Sequence, residues 1–267
     1  METTAAAEYE YGNSRRHAPN QRTRGWRSPF SGSHVVSEPA MITTVVFDLD
    51  DTLYDEIDYC RSGFRAVARF VGKVAPPACS DDVFACLWRH FTAGNRTRTF
   101  NAAMEELGLP CDEGRIAQLV EVYRNHQPDI ELPSDSRRTL DALQGRHTLA
   151  LLTDGFLPAQ KLKVAALGIE PRFRAIVYTE ELGRSCWKPS QAGFERLIET
   201  LATAPDRMAY VADNERKDFV APNRLGMLTI QVVRPRRLHA DPGCQEGSAA
   251  AVQTGRIEDL PSLLVRY

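Results

Sequence analysis

The sequence predicts an α/β protein: a doubly wound parallel-sheet core with an α-helical domain inserted into it. Three observations carry this expectation. Beyond residue 133, short apolar runs of strand type alternate with segments of helical period, and that order builds a parallel sheet flanked by helices. The first such run, Val45-Val46-Phe47, is separated from the others by roughly 75 residues of helical pattern, too long for a simple crossover loop. Polar groups gather immediately after the strand-like runs, where an open parallel sheet places its ligand crevice.

The elements follow in order. Residues 1–40 carry Arg15, Arg16, Arg22, Arg24 and Arg27 among Asn, Ser, Pro and Gly, with no apolar period. Such a stretch buries too little surface to offset its ordering entropy, so a disordered N-terminal extension is expected. A transit peptide is the second reading, and Glu2, Glu8, Glu10 and Glu38 oppose it. Met41, just before the first strand, offers an alternative start. Val45–Phe47 is continuously apolar, as a strand buried on both faces must be. Residues 56–132 read as helices, with Phe64, Val67, Ala68 and Val71, then Val83, Cys86, Leu87 and His90, at helical spacing. Further helical stretches cover 102–107 and 116–123. Gly108 and Pro110 stop the first of these. The expected core therefore comprises 41–55 and 133–267. Within it, 148–152, 175–178, 208–211 and 227–233 read as strands, and 160–167 and 191–201 as helices. Residues 236–255 read as a loop, and 257–261 as a last short element. The whole is Rossmann-like in layout.

Composition narrows the function. Hydrophobic residues at 43% and charged residues at 25% are those of an ordinary globular chain. A net charge of −2 gives no electrostatic footprint for nucleic acid or an anionic membrane. No run reaches the roughly 18 apolar residues of a membrane span. Six dispersed cysteines without a C-x-x-C pair read as reduced thiols of a cytoplasmic chain.

Four polar features follow strands: Asp48/Asp50/Thr52, Thr153, the Lys188 loop, and Asp213/Asp218. Crowded carboxylates raise one another's pKa unless a cation joins them. Mg²⁺ favours such oxygen ligands. Hydroxyl donors at Thr153 and a point charge at Lys188 complete equipment for phosphoryl transfer, where positioning and charge stabilisation dominate. A carboxylate can itself be the nucleophile.

Four motifs in order carry a resemblance. They are Phe47-Asp48-Leu49-Asp50-Asp51-Thr52-Leu53, Leu151-Leu152-Thr153-Asp154-Gly155, Lys188-Pro189, and Tyr210-Val211-Ala212-Asp213 running on to Asp218. From Ile42 onward the chain resembles the haloacid-dehalogenase-like hydrolase superfamily, in its phosphatase form with an α-helical cap domain. The resemblance implies that residues 56–132 are that cap. It implies that Asp48 is the nucleophile and a Mg²⁺ ligand, and that Asp50 moves protons while its main-chain carbonyl binds the metal. Thr153 and Lys188 would hold the transferring group, Asp213 would complete the metal site, and Asp218 would be a ligand or a neighbour of one. The implied partner is a small phosphorylated metabolite. The chain departs from the pattern at Asp154, where the family usually carries Asn, and at Ala212, where it usually carries Gly.

Rival readings are a C–halogen hydrolase, which needs no leaving-group acid such as Asp50, and a non-catalytic regulatory or binding protein on the same scaffold. A phosphomutase would have to retain its product, and a signalling receiver domain would lack the insertion. Arg61, Arg65, Arg96 and Arg98 read first as solvated surface and second as contacts to a distal acidic group of substrate. His90, His126 and His147 read as structural, and Trp88 and Phe91 as cap core. A chain beginning at Met41 is expected to keep the melting temperature and turnover of the full chain. A loss of several degrees on thermal denaturation would show that residues 1–40 pack on the core.

Overall fold

The computed structural model describes residues 41–267, and the expectation for 1–40 lies outside the described residues. Six parallel strands form one sheet: β1 (Thr44–Phe47), β2 (Thr148–Thr153), β3 (Ala175–Tyr178), β4 (Met208–Ala212), β5 (Leu228–Val232) and β6 (Val252–Thr254). Their spatial order is β3-β2-β1-β4-β5-β6. The continuous apolar runs have a direct cause, because alternate residues of β1, β2 and β4 feed two separate cores. Val45, Phe47, Leu149, Leu151, Ala209 and Val211 point to one face. Val46, Ala150, Leu152, Met208, Tyr210 and Ala212 point to the other.

Five helices lie between β1 and β2, and the first four make up the insertion: α1 (Glu56–Val74), α2 (Ser80–Thr92), α3 (Thr99–Glu106) and α4 (Glu113–Asn125). They close around an aromatic cluster. Phe64 meets Phe91, Phe100 and Tyr123 with ring centroids 5.2, 5.9 and 5.5 Å apart, the separations aromatic pairs prefer. The Asp112 carboxylate caps α4 by accepting the Arg115 backbone N–H at 3.0 Å. After this insertion α5 (Ser134–Leu143) and α6 (Ala159–Leu167) join the first core. α7 (Ala192–Leu201) contributes Phe194 and Leu197, and α8 (Val220–Leu225) contributes Ala221, to the second. α9 (Leu260–Leu264) returns to the first core through Leu260 and Leu264. Among the described residues, no helix is long and apolar enough to cross a membrane.

The strands and helices fall where the patterning put them, with one correction. Residues 236–255 are not all loop, because Val252–Thr254 pairs with β5 as an edge strand. Three residues give too few positions for a period to register, and pairing with β5 is what makes them a strand. α5 and α8 are further additions that the patterning did not mark, the second a short helix that follows directly on the fourth motif.

The insertion depends on a close helix contact. A Cβ added at Gly63 in α1 would press into the Tyr123 ring of α4, within 2.6 Å of Cδ2. Overpacking of this kind costs about 1–3 kcal/mol. Gly63→Ala is therefore expected to lower the melting temperature by several degrees in a thermal scan; an unchanged value would show that the ring yields freely.

Candidate active site

Strand order places the crevice. From β1 the chain first winds outward to β2 and β3, then returns past β1 to β4 and winds the other way. The reversal leaves a gap between the connections leaving β1 and β4, and a ligand crevice forms at the carboxyl ends there. Asp48 follows β1 and Asp213 follows β4, so both carboxylates stand at that gap. The Asp48 backbone N–H donates to the Val211 carbonyl at 2.9 Å, fixing the first motif to β4.

Three of the four motifs then converge on one ammonium group. Lys188, wholly buried, sets its Nζ 2.6 Å from Asp48 Oδ1 and 2.7 Å from Asp218 Oδ1. It also donates to the Tyr210 hydroxyl at 3.0 Å. Asp218 Oδ2 accepts the Asn214 backbone N–H at 3.0 Å. Burial pushes Asp48 up to about 6 although Lys188 pulls the other way. Burial also works to raise Asp218, but Lys188 and Lys217 outweigh it and hold that carboxyl below the ordinary range. Burial opposes the charge of Lys188 too, and Asp218 and Asp48 overcome it, so the lysine stays charged.

Asp213 stands differently. Burial and then Asp218, Asp51 and Asp48 drive its carboxyl well above the ordinary value. Its Oδ2 is buried without a hydrogen-bond partner, and such atoms call for an explanation. Asp48, Asp213 and Asp218 each offer an oxygen within 4.8 Å of the others. An all-carboxylate set with an orphaned oxygen fits a hard divalent cation such as Mg²⁺. The Asp50 carboxylate does not join this set. It turns away to Lys163 Nζ, at 3.0 and 3.1 Å, to Gln160 Nε2 at 2.9 Å and to the Tyr54 hydroxyl. Burial works to raise Asp50, but Lys163 and the Tyr54 and Gln160 hydrogen bonds prevail and lower it.

Thr153 ends β2 and accepts from Gln160 Nε2 at 2.6 Å. The turn that follows requires Gly155. Its φ is +137°, and a Cβ there would stand 2.7 Å from the Gln160 side chain. The unusual Asp154 is accounted for by its surroundings. Its Oδ1 accepts from the Thr179 hydroxyl at 2.7 Å, the Lys188 backbone N–H lies 3.2 Å from Oδ2, and Lys217 Nζ lies 3.8 Å from the same oxygen. The extra negative charge thus lines the pocket with an ammonium group beside it. Ala212, the other departure, is simply a buried residue at the end of β4.

The loop after β1 is pinned by Arg234, which follows β5. Its guanidinium donates to the Thr52 carbonyl at 2.8 Å and to the Ser136 hydroxyl at 2.5 Å, tying the loop to α5. Asp51 in the same loop has φ +52°. It accepts the backbone N–H groups of Glu56 and Leu238 at 2.8 and 2.6 Å.

The resulting pocket is lined by Asp50, Gln160, Lys163, Asp213, Lys217 and His239, among others. Burial, with Lys217 and Arg96 adding to it, lowers His239 to about 4. Sequence reading did not find Gln160, Lys163, Lys217 or His239. For the first two a signal existed: the α6 period puts 160, 163, 164 and 167 on one face, and two polar residues on an otherwise apolar face stand out. Lys217 and His239 have no such signal.

The arginines of the insertion turn to other groups than the pocket. Arg61 stacks over Trp88 at 4.8 Å and Arg65 over Phe84 at 5.4 Å. Arg98 pairs with Glu105. Arg96 lies over Phe91 and donates to the Leu238 carbonyl at 2.8 Å. Glu56, at the start of the insertion, lines the pocket, and the Arg124 guanidinium lies 3.4 Å from the centre of the Phe156 ring. Cys86, His90 and Glu106 also approach one another, but the Arg89 guanidinium already binds Glu106 and lies 3.6 Å from the Cys86 sulfur.

An open parallel sheet with carboxylates and a lysine at its switch point defines an α/β protein with a ligand crevice of the kind enzymes use. Residues 42–226 match the haloacid dehalogenase-like hydrolases, and the chain belongs to that family. It is 26% identical over 208 residues to the glyceraldehyde 3-phosphate phosphatase of Methanopyrus kandleri, covering 76% of this chain and 88% of that protein. Its fold is similar to that of the HAD-hydrolase YfnB from Bacillus subtilis, solved bound to magnesium (TM-score 0.62, 20% identity, 84% and 99% of the two chains). It is also similar in fold to the 2-haloacid dehalogenase of Pseudomonas syringae pv. Tomato DC3000 (TM-score 0.58, 22% identity, 85% and 99%).

The carboxylate set has a measurable consequence. Asp48 and Asp213 have raised folded pKa values, so each favours folding most when protonated. That stability is fully present below the unfolded value near 3.8. For Asp48 it is lost as pH rises to about 6. At pH 7 a bound cation should recover it. Saturation at 100 times Kd adds about 2.7 kcal/mol, or roughly 5–10 °C in melting temperature. Asp213→Asn is expected to raise the metal-free melting temperature and to abolish the Mg²⁺-dependent rise. An undiminished rise in that variant would place the ion elsewhere.

Proposed function

We propose that the protein is a Mg²⁺-dependent phosphatase acting on a small phosphomonoester through an aspartyl-phosphate on Asp48. The observation that carries this reading is the pair of carboxylates Asp48 and Asp50 at one crevice, held in different ways. Asp48 sits against Lys188, and Asp50 is turned into the pocket beside Lys163. A nucleophile alone suffices to cleave a carbon–halogen bond, whereas an alkoxide leaving group calls for a proton donor. The relative from Methanopyrus kandleri, a phosphatase by name, agrees with this choice.

Asp48, Asp213 and Asp218 would hold the ion, with the Asp50 carbonyl as the family resemblance implies. Bound there, Mg²⁺ supplies positive charge against the phosphoryl oxygens and between the carboxylates. Around Asp213 and Lys188, carboxylates (Asp48, Asp51, Asp154 and Asp218) outnumber the ammonium groups, an excess of negative charge that favours a bound cation.

The chain's own groups then divide the work. Lys188 aims Asp48 Oδ1 and draws charge from the phosphoryl group. Thr153 donates a hydrogen bond to that group. Asp48 attacks phosphorus, the P–O bond to the alkoxide breaks, and the alkoxide takes a proton from Asp50. The negative charge of an arriving phosphate itself favours the protonated form of Asp50. Water then attacks phosphorus, gives its proton to Asp50, and the bond to Asp48 breaks, returning both carboxyl groups to their starting state.

Purified protein is expected to release phosphate from at least one small phosphorylated metabolite with Mg²⁺ and to lose that activity in excess chelator. Halide release from a short 2-haloacid with no phosphate release would favour the dehalogenase instead. The two carboxylates should also fail differently. With a nitrophenyl ester, whose leaving group needs no acid, Asp50→Asn should accumulate a phosphoryl adduct on Asp48 in rapid-quench mass spectrometry. Asp48→Asn should form none. An adduct on any other residue would falsify the assignment.

A further inference from the structure

The buried face of α6 carries two residues that stability alone does not require. Val164 and Leu167 on that face join the apolar core, yet Lys163 and Gln160 are buried among them with side chains almost wholly hidden from solvent. An ammonium group taken out of water needs a partner, and here the partner is Asp50. Lys163 Nζ bridges both carboxylate oxygens, at 3.0 Å from Oδ1 and 3.1 Å from Oδ2. Behind it, the Tyr59 ring of α1 lies 4.1 Å from the ammonium.

The remaining contacts are unequal. Oδ1 also accepts from the Tyr54 hydroxyl. Oδ2 also accepts from Gln160 Nε2, but that nitrogen has three acceptors within reach: Asp50 Oδ2 at 2.9 Å, Thr153 Oγ1 at 2.6 Å and the Asp154 carbonyl at 2.6 Å. An amide NH₂ has two hydrogens, so its hold on Oδ2 is the one that can be given up. Oδ1 is the more firmly anchored end of the carboxylate, and Oδ2, held by Lys163 and by an amide hydrogen it shares with other acceptors, is the end that can release a contact to meet a proton.

We propose that Lys163 is a positioning residue for Asp50, with Gln160 as its assistant: together they fix the carboxylate so that Oδ2 faces the reacting oxygen. The proposal rests on the reading that Asp50 transfers protons. It adds two residues outside the four motifs to the machinery. Lys163 acts through Asp50 and does not bind the substrate. Because Tyr59 belongs to the insertion, the seating of that insertion bears on Asp50 through Lys163.

Proton transfer requires hydrogen-bond reach, and a misplacement of about 1 Å can cost about 10²-fold in rate. Lys163→Met is therefore expected to lower kcat on an alkyl phosphate by about 10²-fold, with KM within about twofold of the parent. With nitrophenyl phosphate it should still give a burst of nitrophenolate followed by slow turnover, because the first step needs no acid and the second needs a base. The Lys163→Met/Asp50→Asn double variant should be no slower than Asp50→Asn alone, and Lys163→Arg should recover part of the rate. If Lys163→Met does not fold, Lys163→Gln, which keeps polarity but loses the charge and the reach, takes its place in every comparison. A rise in KM with unchanged kcat would make Lys163 a substrate-binding group and overturn the proposal, as would losses that add to those of Asp50→Asn. A crystal structure of the Lys163 variant decides the point without reference to any substrate. Asp50 swung out of its present orientation supports the proposal even if the parent protein proves inactive on phosphate esters, and Asp50 unmoved overturns it.

Discussion

The buried ammonium group of Lys188 is the constraint on which the site depends. A parallel sheet that reverses its winding between β1 and β4 opens a crevice at their carboxyl ends, and this chain fills that crevice with acids. Without a cation the acids would repel one another and neutralise by taking up protons. Lys188, 2.7 Å from Asp218 and 2.6 Å from Asp48, prevents this for Asp218 and opposes it for Asp48 without overcoming burial. It leaves Asp213 with a buried oxygen that has no partner. The same residue thus orders two carboxylates and defines the place of the third charge.

A second layer of pairing surrounds the first. Asp154 would add to the negative excess, yet it is answered by Lys217 and by the backbone N–H of Lys188. Asp50 is answered by Lys163. Each acid near the crevice therefore has its own surroundings, and the surroundings push the carboxyl groups apart in pKa: Asp213 and Asp48 upward, Asp218 and Asp50 downward. Carboxyl groups whose environments differ in this way can take different parts in one reaction. A uniform acidic cluster could not.

The helical insertion reaches the crevice by few points. Its interior is aromatic, and several of its arginines are spent on its own rings and acids. Among the contacts that join it to the sheet side are Tyr59 behind Lys163, Arg96 on the Leu238 carbonyl, Arg124 over Phe156 and Asp58 paired with Arg236.

The sequence by itself determined the fold class and the four motifs. Strands buried on both faces must be continuously apolar, and the break to Asp48, Thr153 or Asp213 marks their carboxyl ends whatever the rest of the chain does. Covalent neighbourhood also made the Asp48/Asp50 pair legible. Tertiary structure decided what residues distant along the chain do to one another. It brought Lys163 to Asp50, Lys217 to Asp154 and Arg234 to the loop after β1, and it turned Arg61 and Arg65 onto rings. It also made a strand of Val252–Thr254 by pairing it with β5. A local pattern records which face of an element is buried. The partner that a buried charge meets there is set by the packing of elements far apart in the chain, which leaves no period to read.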